Sequence, residues 1–379
     1  MSSPQPFRVH VPEEDLTDLK KRIAQTRWIN EIINSGWKFG ASLSYMKELA
    51  TYWQNQFDWR KVEVRINTYP NFVAEIDGHK IHFMHIKGTG DRCVPLVITH
   101  GWPGSFLELM KLIPLLTAGK SFCFDLVIPS MIGYGFSEKP TAEGSNVFLM
   151  AELWVKLMKQ LGYEKFFAQG GDFGAGITTV MALRYPQHLN GIHLNYIPGS
   201  YRPYIERTEE LTKEELQFEK DAGDWSQKEG AYAHQHKTKP QTLSFGLNDS
   251  PVGLAAWLIE KFYGWSDCRG DIENCFTKDE LLSNITLYWL TQTIDSSIRL
   301  YYENSRVPLH FQKGEFIHVP VGIARFPLEE PFPPRRLIER SYNIQHWTEM
   351  PAGGHFAAIE QPELLAKDIV MFAKKIASA

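Results

Sequence analysis

A chain of 379 residues, 43% hydrophobic and 22% charged, is long enough to bury a large core and has the composition of a packed globular protein. Its net charge of −4, with no long run of one sign, excludes the basic footprint of a nucleic-acid binder, and no apolar run approaches the ~18 residues of a membrane span. The opening MSSPQPFRVHVPEEDLTDLKKRI lacks a basic segment followed by an apolar one, so a cytoplasmic, soluble protein without a membrane anchor is expected.

Residues 1–70 read as a helical extension: a capping signal precedes DLTDLKKRIAQTRW, and LSYMKELATYWQNQF follows with the same periodicity. Over 71–200 the pattern changes to short β-type runs, FVAEIDG, KIHFMHIKG, PLVITHG, FDLVIPS, KFFAQGG and GIHLNYIPG. The helical stretches SFLELMKLIPLL and VFLMAELWVKLMKQLG separate the later ones. Strand and helix in alternation predict an α/β fold, a mostly parallel sheet with helices on both faces. Over 201–312 the strands stop, and RTEELTKEELQFEKDAG, SPVGLAAWLIEKFYGW and DELLSNITLYWLTQTIDSSIRLYYEN read as a helical insertion. The β pattern resumes over 313–379 with EFIHVPVGIARFP and IQHWTEM, and PELLAKDIVMFAKKIA closes the chain. Cys93, Cys123, Cys268 and Cys275 show no CxxC spacing and read as free thiols, with a Cys268–Cys275 bridge as the alternative. No metal-ligand or cofactor motif stands out, so neither is expected.

The chemistry concentrates in three short stretches. Gly170-Gly171-Asp172-Phe173-Gly174 follows the strand KFFAQ and precedes a helical run. Its spacing is that of the nucleophile elbow, G-x-S-x-G, in which flanking small residues permit a sharp turn that presents the central side chain. Aspartate stands where serine would. It could simply cap the helix, but a cap does not require small residues on both sides. A carboxylate nucleophile attacks saturated carbon and leaves an alkyl ester that water must hydrolyse, so epoxides and haloalkanes qualify as substrates. The helix beginning beside Asp172 is expected to keep it ionised. His100-Gly101-Trp102-Pro103-Gly104 ends the run PLVIT, where backbone N–H groups can line an oxyanion hole; Trp102 and Phe173 are the donors, and His100 is expected to hold the loop. Gly353-Gly354-His355-Phe356 follows the last strand, which completes the order nucleophile, acid, histidine. His355 is then the base that activates water, since an imidazole of pKa about 6.5 takes a proton near neutrality. The orienting acid belongs between them, in IARFPLEEP, where spacing leaves Glu329 and Glu330 open.

Together HGWPG, GGDFG, FPLEE and GGHFAAIEQPELL resemble the epoxide hydrolases of the α/β-hydrolase superfamily, closest the microsomal type with its soluble fungal and bacterial relatives, over nearly the whole chain. The resemblance implies an N-terminal helical section, a helical lid, and an orienting acid in F-P-x-E, which selects Glu329. It also implies two lid tyrosines that hold and protonate the epoxide oxygen, placed by AYAHQHKTKPQT and SSIRLYYEN at Tyr232 and Tyr301, with Tyr302 next door. The implied partners are a small apolar epoxide and water, with a homodimer as the expected assembly. Two other readings follow from the same parts. A haloalkane dehalogenase shares the aspartate and histidine but usually holds halide with an indole after the nucleophile, and Phe173 carries no such donor. A hydrolase fold can also persist as a catalytically silent binding protein.

Overall fold

The computed structural model describes residues 3–198, 201–206 and 210–378. Among these residues nine strands form one sheet: β1 Gln5–Phe7, β2 Asn71–Ile76, β3 His79–Ile86, β4 Cys93–Thr99, β5 Cys123–Pro129, β6 Phe166–Gly170, β7 Leu189–Leu194, β8 Ile317–Arg325 and β9 Tyr342–Glu349. Their order across the sheet is β1-β2-β3-β5-β4-β6-β7-β8-β9. From β5 to β9 neighbours run parallel, whereas β1, β2, β3 and β5 pair antiparallel. The alternation expected from the sequence holds only after β3. Asp77 and Gly78 join β2 to β3 with φ of 52° and 85°, the two-residue hairpin turn that suits an Asp-Gly pair. The N-terminal section is also not wholly helical, because Gln5–Phe7 adds the edge strand to β2.

Helices Val147–Gln160 and Asp172–Arg184 pack on each other and on the sheet, and Leu112–Thr117 packs with Pro362–Ala377. In the first, the Asn146 side chain accepts the N–H groups of Phe148 and Leu149 at 3.0 and 3.2 Å, a cap worth about 1 kcal/mol. Val147, Met150, Ala151, Trp154, Val155 and Met158 then repeat at helical spacing and are buried. The run SFLELMKLIPLL is less regular than expected. It forms a 3-10 turn, Phe106–Leu109, started by the Ser105 hydroxyl, and then a six-residue helix containing Pro114. The first N-terminal helix, Glu13–Ala24, has Pro12 before it and no side-chain cap, so its start rests on Glu13, Glu14 and Asp15 in the first turn.

Among the described residues, six helices lie between β7 and β8: Lys213–Glu229, Ala231–Thr238, Pro240–Leu247, Pro251–Trp265, Lys278–Thr291 and Ile294–Arg306. Thr212 with Glu215 and Thr277 with Glu280 make complete capping boxes. The helix read over 207–223 begins at residues outside those described and is helical from Lys213. Gln292, at φ 51°, breaks the last long run and turns Ile294–Arg306 so that Tyr301 is buried. No helix among the described residues is long and apolar enough to cross a membrane.

The cysteine reading needs correction. Cys93 and Cys123 begin adjacent parallel strands as register partners, with Cα atoms 4.5 Å apart, and are disulfide-bonded. Sequence spacing could not show this, because the pairing follows from strand register. Cys268 and Cys275 are free.

Candidate active site

The chain switches direction across the sheet at β4 and β6, whose carboxyl ends carry Gly101-Trp102 and Gly170-Gly171-Asp172. Asp172 opens its helix at φ 47°, a region costly for a side-chain-bearing residue. Close packing explains the glycines around it. A Cβ on Gly174 would lie 2.0 Å from the Thr99 carbonyl oxygen, and one on Gly101 would lie 2.3 Å from the Asp172 Cβ. The carboxylate does not cap its own helix. Its Oδ1 instead accepts the Trp102 N–H at 2.8 Å, with the Phe173 N–H as a second backbone donor.

His355 approaches from the loop after β9. Its Nε2 is 3.6 Å from Asp172 Oδ2, and its Nδ1 lies 2.9 and 3.1 Å from the two oxygens of Glu329. An acceptor carboxylate on Nδ1 places the proton there and turns Nε2 toward Asp172. The choice between the two glutamates is therefore made by geometry: Glu330 turns outward to Arg325, 3.1 Å away. Glu360 holds the histidine loop, accepting the N–H groups of Gly354, Phe356 and Asp267 at 3.1, 2.9 and 2.8 Å.

Two electrostatic expectations change. Burial raises the Asp172 pKa above its ordinary value, and the facing imidazole and two backbone donors only partly counter this. Helix polarity alone does not set its charge. Burial also works against a charged His355, yet Glu329, Asp172 and Glu108 outweigh it and lift its pKa to about 9. A pKa of about 9 keeps His355 an imidazolium at neutral pH, facing Asp172.

The lid closes over this group with aromatic rings. Tyr232 stacks on the Trp102 indole with centroids 5.4 Å apart, and Tyr301 meets the Phe173 ring edge-on at 4.7 Å. The tyrosine rings are 5.8 Å apart and their hydroxyls interact. Burial holds both phenols well above their ordinary pKa, hence neutral. Tyr302 points elsewhere and accepts from Arg306. His100 is buried: it bonds the Gly101 carbonyl through Nδ1, and its Nε2 accepts the Met131 N–H, which makes it a loop strut. A cavity of about 30 Å³ joins Gly101, Glu108, Asp172, Asn195 and His355. The sequence motifs assign no role to Glu108 or Glu360. Glu360 stands in the quoted GGHFAAIEQPELL, where its spacing from His355 was the available signal. No group of three or more potential metal ligands is found among the described residues.

The sheet, the inserted lid and the aspartate elbow define an α/β-hydrolase, and comparison with known proteins narrows the class. Residues 4–109 match the family described as epoxide hydrolase N terminus, and residues 94–242 match the alpha/beta hydrolase fold. The chain is 40% identical to epoxide hydrolase 1 of Sus scrofa, over 97% of this chain and 88% of that protein. Among solved structures, the juvenile hormone epoxide hydrolase of Bombyx mori superposes with a TM-score of 0.87 at 31% identity, covering 100% of this chain and 95% of that one. The Aspergillus niger epoxide hydrolase does so with a TM-score of 0.87 at 31% identity, covering 99% and 97%. This chain belongs to the epoxide hydrolase family.

Proposed function

We propose that the protein converts small apolar epoxides to vicinal diols through a covalent ester on Asp172. The observation that carries this reading is one arrangement. A half-buried carboxylate has Oδ1 held by the Trp102 N–H and Oδ2 facing His355, with two neutral phenols above it.

In the first step Oδ2 bonds to a ring carbon and the carbon–oxygen ring bond breaks. The released oxygen takes a proton from Tyr232 or Tyr301. Esterification removes the Asp172 charge, one of the influences holding the His355 pKa near 9, so the imidazolium passes its proton to the tyrosinate left by the first step and becomes a base. In the second step water bonds to the ester carbonyl carbon while His355 Nε2 takes its proton. The tetrahedral oxyanion rests on the Trp102 and Phe173 amides, donors of a kind worth about 3 kcal/mol each. Collapse breaks the ester bond, the departing alcohol takes the proton from His355, and the acid proton left on Asp172 passes to the imidazole, which restores the resting pair. The sum is epoxide plus water to diol.

Asp172→Ala should abolish diol formation from styrene oxide. His355→Gln should stall as an ester, read by intact mass as one substrate added on Asp172. A single turnover of the parent in heavy-oxygen water should place label in the Asp172 carboxylate. Turnover by His355→Gln at the parent rate would refute the second step, and release of halide from chloroalkanes without diol from epoxides would favour the dehalogenase reading.

A further inference from the structure

The mechanism leaves one carboxyl of the cavity unused. Glu108 sits on the 3-10 turn Phe106–Leu109, and its side chain folds back over Gly104: a Cβ there would lie 1.7 Å from Oε2 and 3.3 Å from Oε1. The bare backbone at residue 104 is what gives the carboxyl its place. Gly104 and Glu108 also line two cavities at once, each of about 30 Å³. One contains Asp172 and His355. The other leads past Met110 and Asn284 toward the exposed Arg65 and the half-buried Lys111. The cavity with Asp172 and His355 is polar and has room for one or two waters, whereas the other is lined mainly by apolar surface. Burial, reinforced by the nearby Asp172, pushes the Glu108 pKa up to about 8 against the opposing effects of His355 and the Gly101 N–H, and Glu108 in turn raises that of His355. The residue thus interacts with both halves of the reacting pair.

Once Asp172 carries an alkyl group, the space beneath Tyr232 and Tyr301 is filled by that group. Water must then reach the ester carbon by another side. Resting on the ester mechanism above, the geometry points to Glu108 as the residue that seats the hydrolytic water against His355, with the second cavity as its route from solvent. Glu108 makes and breaks no covalent bond; it accepts or donates a hydrogen bond to the water that His355 deprotonates.

Two variants test this by separate means. Glu108→Gln keeps the shape and removes the acid, while Gly104→Ala keeps the acid and displaces it. Single-turnover stopped flow with styrene oxide, followed by tryptophan fluorescence and by intact mass of quenched samples, resolves ester formation from ester hydrolysis. Hydrolysis should slow at least about tenfold in both variants, the loss expected for one hydrogen bond to a reacting atom, and formation by less than about threefold. Ester then accumulates at steady state beyond the parent's level. An unchanged ratio of the two rate constants in both variants, whether both rates persist or both fall together, overturns the proposal. A parent that forms no ester at all is a different result, because it overturns the mechanism on which the proposal rests.

Discussion

Asp172 holds a strained backbone angle because the glycines near it let the Thr99 carbonyl and the Trp102 loop approach within van der Waals range. The strain aims Oδ2 at His355 and leaves Oδ1 to the Trp102 amide. Gly174→Ala would force the helix start away from Thr99. It should lower diol formation by at least about a hundredfold, the usual consequence of an ångström-scale misplacement, with substrate depletion as the assay. In the proposed mechanism the tyrosines belong to the first step. Tyr232→Phe and Tyr301→Phe should each slow ester formation by about 10- to 100-fold while leaving hydrolysis of preformed ester near the parent rate, a split that rapid-quench kinetics resolves. At this scale much of the site was legible, since the elbow, the HGWPG loop and the final GGHF carry their geometry in short local patterns. Glu108 was not legible, because nothing in SFLEL says that its side chain turns back over a glycine toward a histidine almost 250 residues later.

Among the elements, the C-terminal helix Pro362–Ala377 is tied to the sheet by one buried carboxylate. Asp368 meets His193 of β7 at 2.9 Å and His346 of β9 at 2.8 Å, and it accepts the Thr348 hydroxyl. Burial disfavours its charge, but these partners prevail and hold its pKa at about 2. A depressed carboxylate pKa adds stability that is complete above the unfolded value of 3.8 and disappears as pH falls through 2. Asp368→Ala should therefore cost on the order of 3 kcal/mol in chemical denaturation at pH 7, and less below pH 3. Most helices and the later strands announced themselves by period. The hairpin at Asp77-Gly78 and the edge strand Gln5–Phe7 did not, because period does not fix which runs pair in the first and the second has only three residues.

For the molecule as a whole, the site concentrates groups whose protonated forms the fold favours. The His355 pKa rises to about 9 and that of Glu108 to about 8, and Asp172 and Glu329 also lie above their ordinary values. A raised pKa means that the folded state binds the proton more tightly than the unfolded chain. The histidine contribution is therefore full below about pH 6.5 and lost as pH climbs through 9. Thermal melting of the parent should fall between pH 6.5 and 9.5, and His355→Gln should show a shallower decline over that interval. An equal slope in the two proteins would contradict the proposed charge state of the resting site.

The sequence alone determined the α/β class, the chain order of aspartate, acid and histidine, and the presence of an inserted helical lid, because each is written in local period, glycine spacing or order along the chain. Tertiary structure decided the rest. It selected Glu329 over Glu330 by which one reaches His355, paired Cys93 with Cys123 through strand register, and raised the pKa values of Asp172 and His355 by burial and mutual approach. These are properties of distance between residues far apart in the chain, and only the folded packing supplies such distances.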